Sequence, residues 1–576
     1  MESQFDTLLQ VIDHIRAEAP KSLRKIYRPS KAKPELVDSA RTRAYIHLYL
    51  LVQHGILNFE EREKYITDGQ HDGGLDAYYI DHEKKIRYLI QSKFHLTGKK
   101  FEVDKMPIGE LVKMEIDRIL NGDSETSYGK PYNEGVRRFQ NELKKAKGIY
   151  HTKVILLANV PHSDYQIRKS IGYEKYEIFD FTRSYSELVF PYCTSTFYSP
   201  AEIDMEISLK NKTQVTLEGY IKTRYGESQV LIILAPTKEI GRIMSTYKNA
   251  ILKYNPRNFI TLQKSKVNRE IEESITSFET NDFAILNNGV TMLAEDFRYE
   301  PHTGDKKRGR LIVTKPQIIN GGQTAFTLSK IYDSLYVDRP HIFDGKEVLL
   351  RIVKLKKSPN NPSEFIEILS NATNRQNKIK EADRRSNHQS LVDIQLRIFD
   401  RFGYFLERKT GEFQEAKEQK VLKANYIVDR FEFVQAYTAF LGNPSTARSS
   451  AEKLFTDKRI SELFPNVGVA AHAFFAYKVY QRVLALAKQE RKNNYGEAKY
   501  GAGLRYGKFA IVAAVGATEK WQLSGSEDFD GLANDRVDKV LAKWKSFEAR
   551  QKIGNAGFDN FYKGGEVDAE IKAFFG

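Results

Sequence analysis

Apolar positions in the first third of the chain change their period several times, and each change marks an element. After Lys33-Pro34, the residues Val37, Ala40, Ala44, Leu48 and Leu51 recur at three- and four-residue steps until Gly55. That spacing predicts a helix with one buried stripe, ended by the glycine. Phe59 to Ile66 is expected to form a first strand. His71-Asp72-Gly73-Gly74-Leu75 then reads as a turn leading into the apolar strand Asp76-Ala77-Tyr78-Tyr79-Ile80. The charged turn Asp81-His82-Glu83-Lys84 sends the chain back through a second apolar strand that ends in Gln91-Ser92-Lys93. Residues 98–132 are polar and glycine-rich with a helical stretch near Ile108–Ile119; Asn133 to Lys147 is helical, and Lys153 to Val160 is an uninterrupted apolar strand. The tail through Tyr176–Phe181 and Leu188–Phe190 extends this unit or links it onward.

The pattern then shifts. Strand-like runs at Val230–Leu234, Phe283–Leu286, Leu311–Val313 and Glu347–Val353 mix with helical stretches near Thr237–Leu252 and Ser363–Ala372, without a clean βα repeat. Beyond residue 420, Ala424–Leu441, Ala470–Glu490 and Gly501–Thr518 keep helical spacing, and Ala470–Ala487 is apolar nearly all round, as a buried helix is. The expected architecture is multidomain: an α/β segment over 1–195, an α+β segment over 196–418 and a helical segment over 419–576. A length of 576 residues agrees, since about 150 residues per domain gives about three or four.

Composition narrows the setting. The net charge of +15 favours a polyanionic partner. Cys193 is the only cysteine, so no intramolecular disulfide and no cysteine zinc site can form; that fits a reducing compartment. The N-terminus lacks a signal-peptide pattern, and no apolar run approaches the ~18 residues of a membrane span. A cytoplasmic protein without a membrane partner is expected.

Candidate chemistry centres on the first hairpin. Side chains two apart on a strand share a face, so Gln91 and Lys93 point the same way, and the hairpin brings Asp76 beside them. Such an oxygen-rich pocket suits a hard cation, and an adjacent lysine can orient water or offset phosphate charge. The local chemistry equally allows Asp76 as a turn cap and Lys93 as a solvated strand residue. Asp72 is a second carboxylate that can also hold the turn. The series Gly73-Gly74-Leu75-Asp76 … Gln91-Ser92-Lys93 resembles the PD-(D/E)xK nuclease superfamily, in the branch where glutamine replaces the second acid, with an entry similar to Mrr-type restriction nucleases. The resemblance implies a restriction-endonuclease-like α/β core that hydrolyses nucleic acid, DNA before RNA, with Mg²⁺ or Mn²⁺. Asp76, Gln91 and the Ser92 carbonyl would hold the ion and Lys93 would act on water and phosphate. Relatives carry a first-helix glutamate, for which Glu35 and Asp38 are the candidates.

Two further motifs, Asn287-Asn288-Gly289 and Asn320-Gly321-Gly322-Gln323-Thr324, follow apolar strands, and the second opens a helix. Free N–H groups at a helix start bind anions, so Asn320 to Thr324 is a candidate phosphate or nucleotide cradle; a tight turn with a cap is the alternative. With Tyr254–Phe259, Val267–Ile271 and Asn371–Asn377, these motifs resemble the AIPR family, named for abortive infection and phage resistance. The resemblance covers residues of about 220–415 and implies a bacterial antiviral defence protein in which this region recognises or regulates. Basic clusters at Lys21–Arg28, Lys306–Arg310, Arg375–Arg385 and Arg491–Tyr495 are candidate phosphate contacts, with Tyr27 and Tyr495 as stacking rings. The leading expectation is a Mg²⁺-dependent defence endonuclease; the other is a nucleic-acid-binding or nucleotide-sensing protein with an inert nuclease core. The helical segment is a candidate homodimer contact.

Overall fold

Asp76 lies at the mouth of a four-stranded sheet in the computed structural model of the chain. The structure describes residues 2–30, 33–146, 148–197, 200, 202–208, 220–223, 226–255, 266–277, 279–301, 308–355, 369, 381–449, 451–518, 520–551, 553 and 557–576. They pack as two compact units, which are taken in turn. Unit 1 holds residues 1–203 with 241–251 and 413–423, and unit 2 holds 204–240, 252–412 and 424–576.

Unit 1 begins with helices α1 (Glu2–Ala17), α2 (Pro34–His54) and α3 (Phe59–Lys64). Gly55 closes α2 in the left-handed conformation, where a glycine carries no Cβ penalty. The expected strand over Phe59–Ile66 is instead α3. Asn58 caps it by accepting from the Glu61 amide, Glu60 and Glu61 sit in its first turn, and the polar run cannot line a buried strand.

Strands β1 (Ala77–Asp81) and β2 (Ile86–Ser92) form the expected antiparallel hairpin. Three short helices follow, of which α4 (Ile108–Val112) and α5 (Ile116–Asn121) border the site, and then α6 (Glu134–Lys145). β3 (His151–Leu157) pairs parallel to β2, and β4 (Tyr176–Ile178) pairs parallel to β3. Alternation of side chains settles the two faces. Tyr78 packs on Phe139 of α6, with ring centroids 4.4 Å apart, while Tyr79 packs on His54 of α2, also at 4.4 Å. Tyr78, Leu89, Val136, Phe139 and Val154 belong to one buried core.

In unit 2 a five-stranded mixed sheet runs in the order β11 (Gln317–Asn320), β8 (Val290–Ala294), β12 (Glu347–Leu355), β7 (Gly226–Pro236) and β6 (Tyr220–Thr223). A three-stranded sheet orders β5 (Glu202–Ser208), β10 (Arg308–Thr314) and β9 (Asp296–Pro301). The expected strand at Phe283–Leu286 is a short helix: Phe283 is buried, but Ile285 and Leu286 face solvent. The expected helix at Ser363–Ala372 lies outside the described residues, save Leu369. The C-terminal helices surround Ala470–Glu490, which is buried along most of its length as its all-round apolarity requires. The architecture is mixed α/β with several sheets. Among the described residues, no helix is long and apolar enough to cross a membrane.

Candidate functional site

The loop that precedes β1 is fastened by its own aspartates. Asp72 accepts from the Gly74 amide at 2.8 Å and the Gly69 amide at 3.1 Å, so it holds the turn. Gly73 and Gly74 have φ of 64° and 72°. A Cβ on Gly73 would lie 2.8 Å from the Tyr132 ring, and one on Gly74 2.8 Å from the Lys113 carbonyl. Glycine is therefore required twice over, for the left-handed backbone and for the segment 113–115 that closes over it.

Asp76 is pinned from three sides. Its amide donates to the Ile90 carbonyl at 3.0 Å, its carbonyl accepts from the Thr67 and Asp68 amides at 2.9 Å each, and its Oδ2 accepts from the Ser92 amide at 2.6 Å. Because Ala77 faces Ile90 in the ladder, Asp76 falls opposite Gln91. The fold brings Asp68, Asp72 and Asp76 together as well: one carboxylate oxygen of each lies within 4.8 Å of the others. Burial pushes the Asp76 carboxyl well above its ordinary 3.8; the charges of Asp68, Asp72 and Glu110 add to the rise, and the Ser92 hydrogen bond opposes it. Asp72 is raised too, mainly by burial.

Gln91 is 6% exposed, and its Nε2 donates to the Glu110 carbonyl at 3.1 Å. Only the amide nitrogen can donate to a carbonyl, so this bond fixes the flip and leaves Oε1 buried without a hydrogen-bond partner. Lys93, just past β2, is exposed; its amide donates to the Leu157 carbonyl at 3.1 Å. Asp72, Asp76, Gln91, Ser92 and Lys93 all line one cleft of about 870 Å³, with segments 110–115 and 126–130 opposite.

Helix α2 brings a cation, not a carboxylate, to this site. Arg43 donates to the Asp68 carbonyl at 2.8 Å and to Asp68 Oδ2 at 3.4 Å, and its other branch donates to Glu63 at 3.1 Å. Glu63 accepts from His47 at 3.0 Å and from the Tyr27 hydroxyl. Arg62 donates to His47 Nδ1 at 3.3 Å, which leaves Nε2 to carry the proton toward Glu63. Burial holds His47 down to about 4, so the ring is neutral near pH 7. Glu35 and Asp38, the expected first-helix carboxylates, do not line the cleft. Tyr27, expected as a stacking ring, is fully buried in this network. Asp68 and Arg43 escaped the sequence reading. The four-residue repeat Asp68, Asp72, Asp76 within a glycine-bearing loop was the available signal for Asp68; Arg43 has none.

In unit 2 the two Asn/Gly motifs meet each other. A Cβ on Gly321 would lie 2.5 Å from the Gly289 carbonyl, and φ is +81° at both glycines. Around the helix start at Gly322, the side chains of Asn287 and Thr324 hydrogen-bond at 3.3 Å, and Gln323 donates to Asn268 at 2.7 Å. Protein side chains thus already engage the residues proposed as a cradle. Of the basic clusters, Lys21, Arg24, Lys25 and Arg28 are exposed, as are Arg491 and Lys492. Arg310 pairs with Asp204 and Arg385 with Asp457, whereas 306–307 and 375–380 lie outside the described residues. So do Asn371–Asn377 and most of Tyr254–Phe259.

Neither the curated proteins nor the solved structures give a match to this chain. One family model does match. It covers residues 252–547, more than half of the chain, and its description is AIPR protein. The ordered Asn/Gly motifs and the family model therefore agree, and the chain belongs to the AIPR family.

Proposed function

We propose that unit 1 is a PD-(D/E)xK-type nuclease core that hydrolyses phosphodiester bonds in nucleic acid, DNA before RNA, as part of the antiviral defence that the family name denotes. What supports this is the meeting of Asp76, Gln91 and Lys93 on one cleft, beside the carboxylates of Asp68 and Asp72. The donor set fits a hard divalent cation such as Mg²⁺ or Mn²⁺: carboxylate oxygens crowd together at a desolvation cost, and the Gln91 Oε1 is a buried acceptor that lacks a donor. Bound there, the cation would supply Lewis-acid chemistry, offsetting charge on the phosphate during hydrolysis.

The chain's own residues do the rest. Asp68, Asp72 and Asp76 would hold the ion, with Gln91 as a neutral ligand and the Ser92 carbonyl as a further candidate. Lys93, exposed at the cleft, would orient the attacking water and face the phosphoryl oxygens. Water would form the new P–O bond and release one proton to solvent as the bond to the leaving alcohol breaks, and the leaving oxygen would take a proton from solvent.

Purified chain with Mg²⁺ or Mn²⁺ should cut a DNA or RNA panel, and Asp76→Ala and Lys93→Ala should each lose at least about a hundredfold in rate while staying folded. Cutting by both variants at the wild-type rate would remove the site assignment. Salt-sensitive binding with no metal-dependent cutting would instead favour a binding or sensing protein with an inert core.

A further inference from the structure

The rim of this cleft carries a feature that phosphodiester hydrolysis does not call for. Tyr128 is 85% exposed, among the most exposed large side chains described, and it lines the cleft together with Lys93, Lys113 and Lys130. Its loop is firmly built. Glu125 bridges Pro131, the Thr126 amide donates to the Lys130 carbonyl at 2.8 Å, and the Gly129 amide returns to the Thr126 carbonyl at 2.9 Å with Gly129 at φ +69°. Glu115 ties the base of the loop to the neighbouring segment 110–115. One of its oxygens accepts from the amide of Ser127 at 2.9 Å and from the Ser127 hydroxyl, and the other accepts from the Tyr132 hydroxyl at 2.5 Å. Val112, 63% exposed, adds an apolar side chain to the same cleft.

A ring held in water by an anchored loop contributes little burial to folding and presents its face to a ligand in the cleft. The cations beside it select a polyanion. Of the acids in the same cleft, Glu115 is committed to the loop and Glu110 is paired with Lys113 at 3.2 Å, so Lys93 and Lys130 are the cations that face a strand, with the carboxylates of Asp72 and Asp76 at the hairpin. Base faces inside a duplex are covered by their neighbours; only an unpaired base offers a face to a ring on a rim.

We propose that the Glu125–Pro131 loop presents Tyr128 as a stacking platform for an unpaired base, with Lys93 and Lys130 following the phosphates, so that the cleft selects single-stranded nucleic acid. This deepens the nuclease reading and rests on it only in assigning the strand a path past Asp76.

Binding without metal separates the two. The full chain in EDTA is titrated against fluorescein-labelled strands of about twelve nucleotides, as single-stranded DNA, single-stranded RNA of the same sequence, and duplex DNA. Tyr128→Ala is expected to weaken single-strand binding about tenfold, Tyr128→Trp to preserve it, and both to leave duplex binding near its wild-type value. Lys130→Ala should weaken both forms and flatten the salt dependence. The DNA and RNA arms tell which sugar the strand carries. Unchanged single-strand binding in Tyr128→Ala overturns the proposal; so does an equal loss on duplex, or a wild-type preference for duplex. A chain that shows the Tyr128 dependence but never cuts sinks the nuclease reading alone. A chain that cuts while ignoring Tyr128 sinks the platform alone.

Discussion

Asp76 illustrates how a candidate site residue opposes the fold that holds it. Its carboxyl is raised above 3.8, chiefly by burial, so the folded chain binds that proton more tightly than the unfolded chain does. As pH rises from the unfolded value near 4 through the folded one, Asp76 therefore costs stability, and the full penalty remains above the folded value. Asp76→Asn keeps an acceptor for the Ser92 amide and removes the charge; it should raise the melting temperature of the metal-free chain by about 2–4 °C at pH 7. The proposed cation acts in the opposite sense. Mg²⁺ should stabilise the wild type, less so as pH falls toward the Asp76 titration, and should hardly stabilise Asp76→Asn, as thermal scans across pH would show. Arg43 touches Asp68 and no other acid of the trio, so in the proposed site it would act by positioning Asp68. Arg43→Ala should lower Mn²⁺ affinity by at least about tenfold in calorimetry, and Arg43→Lys, which lacks the fork, should recover only part. Asp76, Gln91 and Lys93 were legible because they lie on one hairpin, where strand parity decides who faces whom. Asp68 and Arg43 were not: one reaches the cluster through a turn, the other from a helix whose facing depends on packing.

Elements followed their hydrophobic period over several long runs, although Ala424–Leu441, expected to be helical throughout, forms a short strand at Ile427–Val428 before its helix over Arg430–Phe440. The helix at Pro34–His54, the Asp76 hairpin, the strand at His151–Leu157 and the buried helix at Ala470–Glu490 all match their expected spans closely. Two short runs expected as strands, Phe59–Ile66 and Phe283–Leu286, are helical instead, because four to eight residues do not fix a period. At Phe59 the cap and the acidic first turn outweighed the run's two apolar ends. Glycines at element junctions also became interpretable only in three dimensions. Gly321→Ala would set a Cβ against the Gly289 carbonyl in a left-handed backbone; it should destabilise the chain by about 1–3 kcal/mol or more in urea unfolding, whether or not any nucleotide binds there.

At the scale of the molecule, unit 1 is assembled from three stretches of chain. Asn249 donates to the Thr194 carbonyl at 2.9 Å, Glu415 accepts from Ser195 at 2.8 Å and from Lys248 at 2.5 Å, and Lys423 pairs with Asp6 at 2.9 Å. A fragment ending at residue 203 lacks every one of these partners, and its buried Tyr192–Ser195 segment would lose cover. Such a fragment should bind a hydrophobic dye and precipitate at temperatures where the full chain stays folded, a difference that fluorescence and light scattering would register. With a net charge of +15, the proposed nucleic-acid binding should weaken steeply with salt in titrations, as phosphate contacts release counterions. Sequence alone determined what depends on neighbours along the chain: the helical and strand periods, the Asp76 to Lys93 hairpin with its shared face, and the ordered Asn/Gly motifs of the family. Tertiary structure decided what depends on neighbours in space: the third carboxylate and its arginine, the unpaired oxygen of Gln91, the anchoring of Tyr128, and the return of two distant segments to unit 1. The division is physical, because local periodicity is written in the order of residues, whereas desolvation, charge crowding and packing exist only once remote segments share a volume.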